Sequence, residues 1–268
     1  MIDLHCHILP GLDDGARDLD QAVEMARIAH EDGIEIIIGT PHLFNGRFAY
    51  EDLAVFDEKR SLLEGALTTG GVPLKIFSGA EVHITHDLVA AVRRHREQLV
   101  LAGGSYIFIE FPYDHVFQGV KDLFFELMSE RLTPIIAHPE RNTAFAQSPK
   151  LLFELVEMGA LTQTNGGSLL GRYGPDTEEA ALRFLELGLV HFISSDGHNT
   201  HSKPPRLAAA AERAAAIVGH ERASALVRDN PLAVIEDREI PFHPDPVQPG
   251  KKERTLKMKF PGFLKFGK

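Results

Sequence analysis

Seven short apolar runs, each followed within a few residues by an imidazole, carboxylate or amide side chain, constrain this chain more than any other feature. The runs are Ile2–Leu4, Ile34–Ile38, Leu74–Ser78, Tyr106–Ile109, Thr133–Ala137, Leu161–Thr164 and Val190–Ile193. Longer amphipathic segments lie between them, at about Asp18–Glu31, Glu51–Leu67, His86–His95, Val116–Glu130, Pro149–Met158 and Thr177–Leu187. Two more, Arg206–Val218 and Glu221–Arg228, follow the last run, and several segments stop at a glycine such as Gly33, Gly159, Gly188 or Gly219. Strand alternating with helix predicts an α/β fold with a parallel sheet and right-handed crossovers. The sheet either closes as a TIM-like barrel or stays open and doubly wound. No Gly-rich phosphate loop follows the first run, which argues against a dinucleotide site.

The polar residues that follow the runs form a series. His5, His7, Asp13 and Asp14 come after the first, His42 after the second, Glu81 after the third and Glu110 after the fourth. His138 follows the fifth, Asn165 and Ser168 the sixth, and Asp196 and His198 the seventh. One such residue at a strand end is ordinarily a loop residue or a helix cap. Seven strands delivering them at the same end describe a site, because those ends share one mouth in a barrel. His5 and His7 stand two apart on a strand and so point to the same side, as do Asp196 and His198 if the strand continues. Imidazole and carboxylate without thiolate suit Zn²⁺, Mn²⁺, Fe²⁺ or Co²⁺, whereas a Mg²⁺ or Ca²⁺ site has no need of five imidazoles. Nine candidate ligands exceed what one ion takes, so two or three ions are expected. Cys6 lies between two inward-facing residues and should point outward into packing.

Composition removes several alternatives. The single cysteine of the 268 residues excludes a disulfide framework and a Cys-rich zinc module. The position six residues beyond Cys6, where a cysteine phosphatase needs arginine, is Leu12, and no Gly-x-Ser-x-Gly elbow is present. Metal-assisted hydrolysis is the chemistry left. A net charge of -10 disfavours nucleic acid as a partner. No run approaches a membrane span and no secretory leader is visible, so a cytoplasmic protein is expected. Charge also divides the chain. Residues 251–268 carry seven cations against Glu253, a net of +6, which leaves about -16 on the first 250. A folded body of 1–240 followed by a Pro-containing linker and basic tail, 241–268, is the expected organisation. The tail's lysines and Phe260, Phe263 and Phe266 suit a flexible segment or contact with an anionic membrane surface or acidic partner.

His5-Cys-His7, Thr-Pro-His42, Gly-Ala-Glu81, Ile-Glu110-Phe-Pro, His138-Pro-Glu-Arg141 and Ser-Asp196-Gly-His198-Asn together resemble the PHP (polymerase and histidinol phosphatase) superfamily. Within it, His-Ile-Leu-Pro-Gly-Leu-Asp-Asp-Gly-Ala and Asn-Gly-Gly-Ser-Leu-Leu-Gly are most similar to the metal-dependent protein-tyrosine phosphatases of bacterial capsule and exopolysaccharide loci. The likeness runs in order from Met1 to about Ile235. It implies a distorted (β/α)₇ barrel with a metal centre, most readily Mn²⁺. By position, His5, His7, Glu81 and Asp196 would hold one ion. Glu81, Glu110 and His138 would hold a second, and Asp14, His42 and His198 a third. Arg141 would contact phosphate. A second family arginine is expected where this chain has Lys203, so either Lys203 or Arg206 would take that role. The implied substrate is a phosphotyrosine protein, such as a tyrosine kinase of polysaccharide assembly. A small-molecule phosphatase of the histidinol-phosphate type, a nucleotide phosphodiesterase and a metal-binding module without turnover are the rival readings.

Overall fold

The structure is a computed structural model and describes residues 1–250. Among these, nine strands appear in place of the seven expected. They are β1 (Ile2–Cys6), β2 (Ile36–Gly39), β3 (His42–Leu43), β4 (Lys75–Ser78), β5 (Glu81–His83), β6 (Tyr106–Glu110), β7 (Thr133–Ala137), β8 (Leu161–Asn165) and β9 (Phe192–Ser194). The two additions are continuations. β3 follows β2 across Thr40-Pro41, and β5 follows β4 across Gly79-Ala80. All pairings between these strands are parallel, in the orders β1-β2-β4 and β3-β5-β6-β7-β8-β9. Because β2 runs into β3 and β4 into β5, the two sheets form one curved wall broken at two steps. Pro41 has no amide hydrogen for the ladder, which accounts for the first step. Gly79 makes the second possible, since a Cβ there would fall 2.8 Å from Leu101 Cδ2.

The wall comes round on itself between β1 and the end of β9. The contact is sparse: Asp196 N–H donates to His5 O at 2.9 Å and His7 N–H to Gly197 O at 2.8 Å. Asp3 reinforces this seam with a side chain, accepting from the Ser195 backbone N–H at 2.9 Å and from the Ser195 hydroxyl. The architecture is a distorted TIM-like α/β barrel with an irregular seam.

Alternation along the strands separates the layers. Ile107, Ile109, Ile136 and Ile193 pack into the large core beneath the helices. Tyr106, Phe108, Ile135, Ala137, Leu161 and Phe192 form a second, smaller core. Continuing the second set by twos along the strands leads to Glu110, Gln163, Asn165, Ser194 and Asp196. One face of the wall is therefore apolar at its beginning and polar at its C-terminal rim, and every one of these polar residues is buried.

Helices of the expected register cover the outside, with shifted ends. The first spans Leu19–Glu31, capped by Asp18 accepting from Gln21 N–H. The fourth begins at Val120, after Gly119 at φ 88°, instead of at Val116. Proline-containing residues 241–247 lie along the body. Asn230 exchanges hydrogen bonds with the Phe242 backbone, and Val247 N–H donates to Leu187 O. The basic tail, 251–268, is outside the described residues. None of the described helices is long and apolar enough to cross a membrane.

Candidate metal centre

The rim gathers His5, His7, Asp14, His42, Glu81, Glu110, His138, Asp196 and His198 into one continuous cluster. Each arrives at the end of a strand, in the loop that follows it, or at the start of the short continuation strands β3 and β5. β1 presents His5, and His7 comes just after it. β3 and β5 begin with His42 and Glu81, which lie side by side in register. β6 ends at Glu110, and His138 follows β7. Two of the positions carry backbone strain. His138 (φ 30°) and Asp196 (φ 51°) are left-handed, a conformation costly for residues with a Cβ. A tight constraint also brings in the loop that holds Asp14. Gly15 passes so close to His7 that a Cβ would lie 2.1 Å from His7 O.

Glu81 is the hub. Its Oε1 lies 2.8 Å from His138 Nε2 and 3.3 Å from His5 Nε2, and its Oε2 lies 2.8 Å from His42 Nδ1 and 3.5 Å from His7 Nε2. Asp196 Oδ1 is 3.4 Å from both His7 Nε2 and His198 Nδ1. Three overlapping groups of ligand atoms have cation-sized spacing: His7, Asp14, His42 and His198; His5, His7 and Glu81; and His42, Glu81 and Glu110. His7 thus faces two groups, and His42 stands between Asp14 on one side and Glu81 and Glu110 on the other.

The donor chemistry fits divalent cations. His42 Nδ1 and Glu81 Oε2 are buried, and although only 2.8 Å apart neither makes a hydrogen bond. Two lone-pair donors that aim at common space without satisfying each other are what a cation would join. The carboxylates around His5 and His7 make the same demand for positive charge. Burial opposes a charged His5, yet Glu81 and Asp196 outweigh it and raise its pKa to about 9. Burial likewise opposes charge on His7, and Asp13, Asp196 and Glu81 raise it well above the usual range. His198 goes the other way, to about 4, through burial and the neighbouring His7. Cation binding would displace protons from this cluster.

Behind these residues stands a second set that the sequence reading passed over or left without a role. Asp13 is buried where Asp14 is partly exposed. It accepts from His7 Nδ1–H at 2.6 Å and from the His42 backbone N–H at 3.0 Å on Oδ2, and from Gly15 N–H at 2.9 Å on Oδ1. That contact leaves His7 Nε2 free for a cation. Burial opposes its charge, but His7 and the other donors hold its carboxyl well below the ordinary value. Gln163 Oε1 does for His5 Nδ1 what Asp13 does for His7, at 3.1 Å, while its Nε2 donates to Asn165 Oδ1 at 2.9 Å. Asn165 donates in turn to Asp196 Oδ2 at 2.7 Å. Ser168 donates to Glu140, which also accepts from Asn165 N–H. Only spacing could have revealed Gln163, two residues before Asn165 on the same face.

The three cations expected at the phosphate position part company. Arg141 lies at the edge of the cluster, with Nη1 donating to Asp196 Oδ2 at 3.0 Å and Nη2 to Tyr113 Oη at 3.0 Å. Lys203 Nζ lies 6.0 Å from the centroid of Tyr173, the same ring that Arg141 faces at 4.7 Å. Arg206 is half exposed and faces Asp32 at 3.8 Å, a residue that also caps the backbone at Leu207 and Ala208. Cys6 is buried in the large core, with burial pushing its thiol pKa up.

Residues 1–236 match the capsular polysaccharide synthesis family CpsB/CapC. The chain belongs to the CpsB/CapC family. Among its relatives, the tyrosine-protein phosphatase YwqE of Bacillus subtilis (strain 168) is 42% identical over 203 residues, covering 76% of this chain and 79% of that protein. CapC of Staphylococcus aureus, a putative tyrosine-protein phosphatase, is 34% identical over 204 residues with the same coverage. A crystal structure from work on YwqE and on CpsB of Streptococcus pneumoniae, described as metal-dependent tyrosine phosphatases, superposes with a TM-score of 0.86. It is 38% identical and covers 92% of this chain and 99% of that one. In this CpsB/CapC chain the cluster therefore lies wholly inside the family region, as do Arg141 and Lys203.

Proposed function

We infer that this CpsB/CapC protein is a metal-dependent protein-tyrosine phosphatase, hydrolysing phosphotyrosine to tyrosine and phosphate. The observation that carries the reading is the convergence of nine imidazoles and carboxylates, all but Asp14 and His42 buried, with Arg141 at their edge, in a chain 42% identical to a tyrosine-protein phosphatase. His5, His7, Asp14, His42, Glu81, Glu110, His138, Asp196 and His198 would hold two to three divalent ions, with Mn²⁺ the first choice and Fe, Zn or Co the alternatives. When bound, such ions supply Lewis acidity and hydroxide at neutral pH.

The chain's own residues do the rest. Asp13 and Gln163 hold the His7 and His5 rings with Nε2 toward the centre. Asp196 and Tyr113 each take one N–H of Arg141, so three of its five donors remain for phosphate oxygens. Fixed in this way, the guanidinium needs little reorganisation as charge shifts during phosphoryl transfer. Lys203 adds a second positive charge beside Tyr173 and is the better placed of the two candidates. Arg206, engaged at Asp32, is assigned no phosphate contact. Phenolate, with a parent pKa of about 10, leaves far more readily than an alkoxide and asks for less acid assistance.

The family supports a phosphotyrosine protein as the substrate, and the target we propose is a cytoplasmic tyrosine kinase of polysaccharide assembly. Turnover of a phosphotyrosine peptide against histidinol phosphate tests the reading. A higher kcat/KM for the peptide supports it. Preference for histidinol phosphate moves the protein to the small-molecule phosphatases, and full metal content with no hydrolysis of either makes it a binding module.

A further inference from the structure

Tyr113 is a large aromatic residue left 53% exposed at the rim of a site whose histidines and carboxylates are mostly buried. Its position is set by main-chain ties. It follows Pro112 in the loop after β6. Asn142 Nδ2 donates to Pro112 O at 2.6 Å and to His115 O at 3.0 Å, and Thr143 N–H donates to Tyr113 O at 2.8 Å. The loop is thereby stapled to the turn that carries Arg141. The Arg141 guanidinium stands 5.1 Å from the Tyr113 centroid and 4.7 Å from that of Tyr173. Tyr173 is itself seated against Gly167, where a Cβ would come within 3.0 Å of its Cε2. Two aromatic rings thus flank the residue placed to bind phosphate, and one keeps half its surface open to solvent.

The Tyr113 ring, 5.1 Å from the guanidinium that would hold a phosphate oxygen, is within reach of a group esterified to that phosphate. An aryl group there gains an aromatic contact, which a short alkyl chain cannot match. We propose that Tyr113, with Tyr173 against the same guanidinium, forms an aromatic wall that selects aryl over alkyl phosphomonoesters. This rests on the phosphatase reading above and adds the source of its tyrosine preference. The wall acts on the leaving group's ring, separately from the easier departure of phenolate.

Two substitutions separate the ring from its hydroxyl. Tyr113→Phe keeps the wall and removes the hydrogen bond to Arg141. Tyr113→Leu keeps apolar bulk and removes the ring. Inhibition by phenylphosphonate and by methylphosphonate compares aryl with alkyl binding at one phosphorus geometry and without turnover. In Tyr113→Leu, phenylphosphonate should weaken about 3- to 10-fold relative to methylphosphonate. The KM for a phosphotyrosine peptide should rise by a similar factor, with kcat less affected. Tyr113→Phe should keep the wild-type ratio of the two phosphonates even if both weaken together. An unchanged ratio in Tyr113→Leu, or equal losses for both phosphonates, would overturn the inference while leaving the phosphatase reading intact. A wild-type protein that hydrolyses no phosphomonoester and binds neither phosphonate would end both.

Discussion

Asp13→Asn is the most informative change outside the nine proposed ligand positions. The wild-type carboxylate accepts three hydrogen bonds, two on Oδ2 from His7 Nδ1 and His42 N and one on Oδ1 from Gly15 N. An amide has one acceptor end, so in either orientation its NH₂ opposes at least one buried N–H donor. With the NH₂ toward His7, the ring is driven to the other tautomer, which puts a proton on the Nε2 facing the cation site. With the NH₂ toward Gly15, the loop carrying Asp14 is pushed out of place. A charge-assisted hydrogen bond is worth about 1.5–3 kcal/mol, which converts to roughly ten- to a hundredfold in affinity. Residues that orient metal-binding histidines lose about the same when replaced. Titrating the stripped variant with Mn²⁺ against a competing chelator should therefore show at least one site weakened by that factor. Excess Mn²⁺ should recover much of the phosphatase activity. Affinity within twofold of wild type would refute the assignment of Asp13 as the residue that orients His7.

Other expectations concern residues with distinct roles. Arg141→Ala should lower kcat/KM for a phosphotyrosine peptide about ten- to a hundredfold, from the loss of a charged hydrogen bond, with metal content unchanged. Steady-state kinetics should also show Lys203→Ala costly and Arg206→Ala nearly silent, since Arg206 is turned to Asp32; the reverse order would exchange their roles. Cys6→Ser should keep substantial activity, and its complete loss with normal metal content would revive a thiol role. Burial, then the nearby His243, lowers the pKa of His191 to about 3, against about 6.5 in an unfolded chain. Between those values the unfolded state binds the extra proton. His191 therefore costs stability progressively as pH falls from about 6.5 to about 3, by up to a few kcal/mol. Denaturant melts of His191→Gln should show a shallower acid loss than wild type over that window, and parallel losses would contradict the assignment.

The convergence of these nine residues was legible because each follows a run of parallel strand, and that repetition survives errors in strand ends. The reading of β2 as Ile34–Ile38 rather than Ile36–Gly39 did not disturb His42. The short strands β3 and β5 were not legible. Two or three residues beyond a Thr-Pro or Gly-Ala step carry no periodic signal, and only pairing with neighbours makes them strands. Gln163 and Asp13 illustrate a second gap. A residue that acts by holding a ligand looks in sequence like any polar residue near a strand end, and its partner becomes evident only when distances are known. Arg206 illustrates a third: Lys-Pro-Pro-Arg places two cations three residues apart, and the chain's path alone decides which one faces Tyr173 and which one faces Asp32.

Phosphate release from a phosphotyrosine peptide, measured on one preparation before stripping, after exhaustive chelation and after return of Mn²⁺, tests the central claim most directly. Hydrolysis that disappears with the metal and returns with it, and that stays absent in His42→Ala or His138→Ala proteins of unchanged fold, is the predicted result. Equal turnover by the fully stripped protein would contradict it.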